Sequence, residues 1–537
     1  MKKELTYFIL LFLVIASCKK YTINDVQVLP WDVDIAIPLV NSTFSVSDVF
    51  DLNDSTILEY IDEDEGLLGI SYSGNILSLD ASSILELGDQ DLSNTIQYPD
   101  PGLPVSVTDT VYESSIFTLD FETVNLVDIE AIYLSMLSGL IDISISSDVA
   151  YLSNVQITIP NMKKNGIPFQ FESDISPGET VSDTELLEGY LMDLSEEDLG
   201  YNQLRFDYRL IINYDPAIPS TGEDISILFH FNDPKLDYII GYFGVNSLVN
   251  MTDTIKIGIF DNTIQGHFQF IDPRINVNIT NSFGFPTVIN FTEFRSVNQV
   301  TGEVIELYLE GLTDAPFEVP YPTQIGNSVS EEYLFDNSNS NIEEILNEGN
   351  KFLIWGVNAS SNPDGPGSSY NFLTHESKLE INTKVTIPLK GYAWDWIFKD
   401  TTHIDSGNTN IDDLDPINEL SLRLILDNGF PAEGIVQIYT TDSLFQITDS
   451  IFDSPTPLLE SGTLVDGIIV ESAKTITDID LNEDKREHFI NANHLITVVM
   501  METTNGSDQE VIQIYDHYSI QVIMGIRANV TIEPDSL

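Results

Sequence analysis

Seven histidines, one cysteine and 85 carboxylates are the residues of this 537-residue chain that could carry acid–base, metal or nucleophilic chemistry. The histidines are His230, His267, His375, His403, His488, His494 and His517. None forms an H-E-x-x-H pair, and a single cysteine is too few for a Cys/His zinc site. His488 and His494 lie six apart, a spacing that does not share a helical face. They read as surface or strand histidines. There is no G-x-S-x-G elbow, no phosphate-binding loop and no G-x-G-x-x-G, so no catalytic residue and no metal ligand is assigned. A glycosidase pair could sit among so many acids, but abundance selects no pair. The acidic runs "YIDEDEG" and "SEEDLG" read as solvated turns. In "NPDGPG", Asn362 and Asp364 stand two apart before a glycine, as at the start of a calcium loop, which makes calcium the one ion the sequence suggests. The later ligands of such a loop are missing. In "KGYAWDWIF", Trp394 and Trp396 share a face with Tyr392 if the segment is extended, giving either a flat platform for a glycan or a packed core face.

The lone thiol, Cys18, stands in a different setting. Lys2 and Lys3 form a basic start, Leu5 to Ala16 an apolar run too short to cross a bilayer, and Ile15-Ala16-Ser17-Cys18 closes it. An aliphatic residue, two small ones and a cysteine after such a run resemble the bacterial lipoprotein signal. The resemblance implies that residues 1–17 are removed and that Cys18, as the new first residue, carries diacylglycerol and acyl chains of the palmitate type. Several acyl chains anchor stably where one is marginal. Lys19 occupies the position where lipoproteins retained at the inner membrane carry Asp, so the resemblance implies the outer membrane, as in Bacteroidota-type lipoproteins. "KKYTIN" lacks the acidic cluster often found in surface-exposed members, which leaves the periplasmic and outer faces both open.

Charge narrows the partners. With 22 basic against 85 acidic residues the formal charge is −63, spread along the chain. Nucleic acid is excluded as a partner because phosphate contacts need clustered Lys and Arg. Unaided docking on anionic lipid is disfavoured. The expected partners are the membrane, through Cys18, and an envelope protein or a glycan.

The elements that must position any site are strands. Period-2 alternation dominates, as in "INVNIT" (Ile275–Thr280) and "LSLRLIL" (Leu420–Leu426), bounded by Gly, Pro, Asn and Asp. Helix is expected only in "SNIEEILNEGN" and "NEDKREHFINAN". Asn505-Gly506 suits a hairpin turn before a long terminal strand region. Two echoes point to internal repetition: Ile275, Val277, Ile279, Gly284, Phe285 and Pro286 align without gaps to Leu420, Leu422, Leu424, Gly429, Phe430 and Pro431. A looser copy runs from Ile157 and Ile159 to Gly166-Ile167-Pro168, and an Ile-Pro-Leu strand end occurs at Ile35–Leu39 and Val385–Leu389. The fold class is therefore all-β, with several β-sandwich-like modules in tandem and a few short helices. Boundaries are placed at 1–17 (signal), 18–30 (tether), 31–220, 221–400 and 401–537. The expected role is a membrane-anchored, non-enzymatic binding or structural protein of the envelope. The alternatives are an elongated amphiphile carrier, resembling late-embryogenesis type 2 and tubular lipid-binding folds only over the two echo segments, and a glycan-binding or polysaccharide-acting surface protein.

Overall fold

The structure, a computed structural model, describes residues 31–49, 56–62, 66–98, 108–123, 129–195, 200–215, 217–218, 223–258, 263–298, 302–367, 370–403 and 417–532. The signal, Cys18 and the tether lie outside the described residues, as do parts of "YIDEDEG", "SEEDLG" and all of 404–416.

The fold is all-β and multi-module, with strands gathered in several antiparallel sheets. The largest sheet runs Asn371–Thr374, Glu223–Tyr242, Glu130–Ser147, Leu191–Asp193, Ser153–Lys164, Gln203–Asn213, Thr108–Thr118, with three further strands paired to it. Its alternation is regular: in Gln203–Asn213, Leu204, Phe206, Tyr208, Leu210 and Ile212 are buried while their neighbours are not. One face of the central strands therefore enters a continuous apolar core that extends across the sheets. A second, smaller core of Ile451, Phe452, Leu458 and Leu481 is lined by Leu420, Leu422, Leu424 and Leu426, the apolar face read from "LSLRLIL".

Strand pairing runs across the boundaries expected at 220 and 400. Trp31–Ser45 pairs with Ser519–Ile532, beside Ile417–Asn428 and Ala473–Asp480, so the first described strand shares a sheet with the last. Leu67–Asp80 joins Lys378–Pro388, Arg274–Asn281 and Val329–Phe335. Antiparallel partners need only complementary edges and faces, not proximity in sequence, which is why linear punctuation did not reveal them.

The two aligned echoes are both corners where the chain changes sheet. Arg274–Asn281 is followed through Gly284-Phe285-Pro286 by Thr287–Val297, which belongs to another sheet, with Phe352–Ser361. Ile417–Asn428 is followed through Gly429-Phe430-Pro431 by Ala432–Thr441, again in another sheet. In each, a buried asparagine accepts the backbone N–H two residues on: Asn281 from Phe283 and Asn428 from Phe430, both at 2.9 Å. Gly284 is required because a Cβ there would lie 2.2 Å from the Phe372 ring. The looser third copy is a different device. Asn165 and Gly166, both at positive φ, form a tight hairpin within one sheet. The two Ile-Pro-Leu segments also diverge, since the first sits at a register shift inside a strand and the second ends one.

The expected helices are present at Ile342–Asn347 and Glu483–Ile490, the second capped by the Asn482 side chain accepting from the Lys485 N–H. Asn505-Gly506 turns the chain, but the flanking strands do not form a hairpin; His494–Thr503 and Ile512–Gln513 both pair with Lys390–His403 rather than with each other, and the long strand Ser519–Ile532 belongs to another sheet.

Candidate functional site

A polar surface built by regular strands lies on the sheet ordered Thr56–Asp62, Leu67–Asp80, Lys378–Pro388, Arg274–Asn281, Val329–Phe335. The strands Arg274–Asn281 and Lys378–Pro388 bury alternate residues, among them Ile275, Val277, Ile279, Leu379, Ile381 and Val385. The opposite set is presented outward. Registry then places Asn75 opposite Asn382, Asn382 opposite Asn278, and Asn278 opposite Glu332, a polar row crossing four strands. Beside it run Ser73, Lys384 and Asn276. The Asn75 amide nitrogen donates to the Asn382 carbonyl at 2.9 Å, and Asn276 donates to the Glu332 carboxylate at 2.6 Å. At one end Lys384 pairs with Glu59, which also accepts from the Thr386 hydroxyl at 3.1 Å.

These side chains line a shallow concavity of 510 Å³. Gly74 belongs to its floor, and a Cβ there would meet Ile255 at 2.7 Å, so the strand can approach Asn246–Lys256 beneath it only without a side chain. Each primary amide offers two donors and an acceptor in one plane. A row of them, with one carboxylate and one lysine nearby, matches a neutral ligand carrying several hydroxyls. It is poorly suited to an anion, given the charge of −63.

A second polar cavity, of 220 Å³, lies in the seven-stranded sheet and is lined by Asp395, Glu433, Glu460 and Glu502 together with Ile435, Leu459, Met500 and Met501. Glu433 and Glu502 face each other directly on adjacent strands. Burial holds the Glu433 carboxyl above its ordinary value, and the hydrogen bond with Glu502, the Glu502 charge and the Glu460 charge push in the same direction.

The tryptophan expectation is corrected. Asp395 has a φ of 51°, and the register between Thr263–Phe270 and Lys390–His403 slips there. This bulge breaks the alternation, so Trp394 and Trp396 go to opposite faces. Trp394 stacks on His267 at 4.6 Å, which covers one ring face, and on Tyr392 at 5.9 Å. Trp396 meets the buried Phe268 edge-on at 5.3 Å. A flat two-tryptophan platform does not form.

The other residues singled out fall as follows. Asn362 is buried, and its amide donates to the Gly244 carbonyl and the Asn371 side chain, both at 2.9 Å. His230 pairs with Asp91 at 2.7 Å, His375 lies 3.5 Å from Asp237, His488 lies 3.3 Å from Asp449, and His517 lies 3.6 Å from Asp516. His403 and His494, far apart in sequence, stand directly opposite each other across two strands. Sequence spacing held no signal for that pairing. Among the described residues no group of three or more His, Cys, Asp or Glu converges as a metal site. A cavity lined largely by apolar groups, including Leu85, Leu87, Leu137, Leu236 and Leu373, measures 160 Å³. That is about the size of a pocket that takes a single benzene ring, and too small for a long acyl chain.

No protein-family model matches the chain, and no curated protein matches it in sequence. Among solved structures, a protein inferred to be secreted, from Parabacteroides distasonis ATCC 8503, is 12% identical; the match covers 66% of this chain and 99% of that one, with a TM-score of 0.15. An archaeal-virus protein with a triple jelly roll and turret assembly is 9% identical over 79% of this chain and 91% of its own, with a TM-score of 0.10. The infectious bursal disease virus Gt strain structure is 9% identical, over 84% and 81%, with a TM-score of 0.12. Likeness at these scores carries no argument about function.

Proposed function

We propose that this chain is a non-enzymatic binding protein of the bacterial cell envelope, tethered to the outer membrane through acylated Cys18, and that it binds neutral, hydroxyl-rich ligands of the glycan class. The carrying observation is the row Asn75–Asn382–Asn278–Glu332 across four strands, lining a 510 Å³ concavity. Vicinal hydroxyls both donate and accept, and planar amides fixed on a rigid sheet complement them at little conformational cost. The anchoring half of the proposal is supported by the basic start, apolar run and Ile15-Ala16-Ser17-Cys18 of the sequence.

Two experiments address the two halves separately. Mass spectrometry of the detergent-extracted native protein is expected to find an acylated Cys18 as the first residue; an unmodified thiol there refutes the anchor. Titration of the full chain with neutral oligosaccharides is expected to give binding that falls at least ~10-fold when Asn278 and Asn382 are both changed to Ala, the loss of several hydrogen bonds. Binding that survives both changes places the ligand elsewhere.

A further inference from the structure

We infer that His403 and His494 form a binding site for a divalent transition-metal ion of the zinc or copper type, with the remaining positions filled by water. The two residues close the register between Lys390–His403 and His494–Thr503, so both side chains leave the same side of the sheet from directly opposed backbones. Their ring centres are 5.0 Å apart, with planes inclined at 53°. Zinc–imidazole bonds run about 2.0–2.1 Å, so two imidazoles on one tetrahedral ion hold their ring centres roughly 5 Å apart. The observed separation matches that distance.

Two further features set this pair apart from the other histidines. His230, His375 and His488 each have a carboxylate beside a ring nitrogen, whereas the buried Nδ1 of His494 has no hydrogen-bond partner. A buried ring nitrogen left unpaired is costly, and a coordinated ion would use a nitrogen lone pair of this ring. Phe445 stacks on His494 at 4.3 Å and 24°, which covers one face of the ring. Phe445 itself is held at a φ of 60°, rare for an aromatic residue, and is an exposed residue. Phe445 is thus a positioning residue for His494. Imidazole nitrogen selects zinc, copper or nickel over calcium and magnesium. The overall charge of −63 raises the concentration of any such cation around the chain.

The test is calorimetric titration of the full chain with Zn²⁺ alone at ~0.15 M salt, where diffuse attraction to surface acids is screened. One site per chain is expected, weakened at least ~10-fold by His403→Ala and by His494→Ala. Phe445→Ala is expected to weaken it less, because it releases a ring rather than removing a ligand. His403 is exposed, so His403→Ala keeps the test valid even if a change at the half-buried His494 disturbs the strand. With Cu²⁺ as a second probe, the paramagnetic resonance spectrum is expected to show coupling to two nitrogens. Zinc affinity unchanged in His403→Ala, no zinc binding by the unaltered chain, or a copper spectrum with fewer than two nitrogens overturns the site.

Discussion

The corner at Gly284-Phe285-Pro286 and the corner at Gly429-Phe430-Pro431 share a sequence and a change of sheet in two surroundings. Each also holds a buried asparagine that accepts from the residue two ahead, but Asn281 lies three residues before its glycine and Asn428 directly before its own. They differ in what closes around them. Phe285 lies between Phe283, stacked at 5.3 Å, and Phe243, edge-on at 5.8 Å. Phe430 has Tyr518 at 6.1 Å. The asparagines show the opposite order: Asn281 makes one further hydrogen bond, to the Pro320 carbonyl, whereas Asn428 donates to both Ala432 and Glu460. The first corner is held more by packing and the second more by hydrogen bonds. A repeated sequence motif therefore specifies a path for the backbone and leaves the source of its stability to the neighbours.

Substitutions can break this contrast. Phe285→Ala has the largest expected effect, a loss of about 3–5 kcal/mol from a well-filled core, against about 2–3 kcal/mol for Phe430→Ala. Denaturant midpoints at constant slope would measure both, and equal losses would dissolve the distinction. The asparagines should reverse the order. Asn428→Ala removes the side-chain partner of the Phe430 N–H and of the Ala432 and Glu460 carbonyls and is expected to cost about 2–3 kcal/mol, with Asn281→Ala nearer 1–2 kcal/mol.

A smaller effect is expected at Glu433. The folded chain holds its proton more tightly than the unfolded one, so this group adds stability below the ordinary glutamate value of 4.5 and loses it as pH rises through the raised value. Glu433→Gln should raise the thermal midpoint at pH 7 and flatten its pH dependence above 4.5, by well under ~1 kcal/mol because the site is partly solvated. A midpoint lowered at pH 7 would show that the charged form is favourable there. The smallest change in stability, within about 0.5 kcal/mol, is expected for Asn278→Ala on the exposed amide row. A large loss there would mean that the row is structural and would remove the reason to read it as a ligand face.

Alternation was enough to read the all-β class and the inward faces of "INVNIT" and "LSLRLIL", and start and stop residues were enough for the two short helices. It was enough because side-chain direction along a strand is a local property with a period of two. The same rule failed at Trp394 and Trp396, where one positive φ at Asp395 shifts the phase. It gave no access to the amide row either. Asn276 and Asn278 were visible as the outward set of one strand, but Asn75 and Asn382 join them only through pairing.

The sequence by itself therefore determined which residues face inward and where the backbone turns, while the anchor proposed at Cys18 is carried by resemblance alone. Tertiary structure decided which strands are neighbours, and with that every candidate site: the amide row, the Glu433–Glu502 pair and the His403–His494 pair. Strand order is a non-local choice, made by complementary edges and faces from distant parts of the chain. Chemistry that depends on opposed residues in different strands has no linear signature.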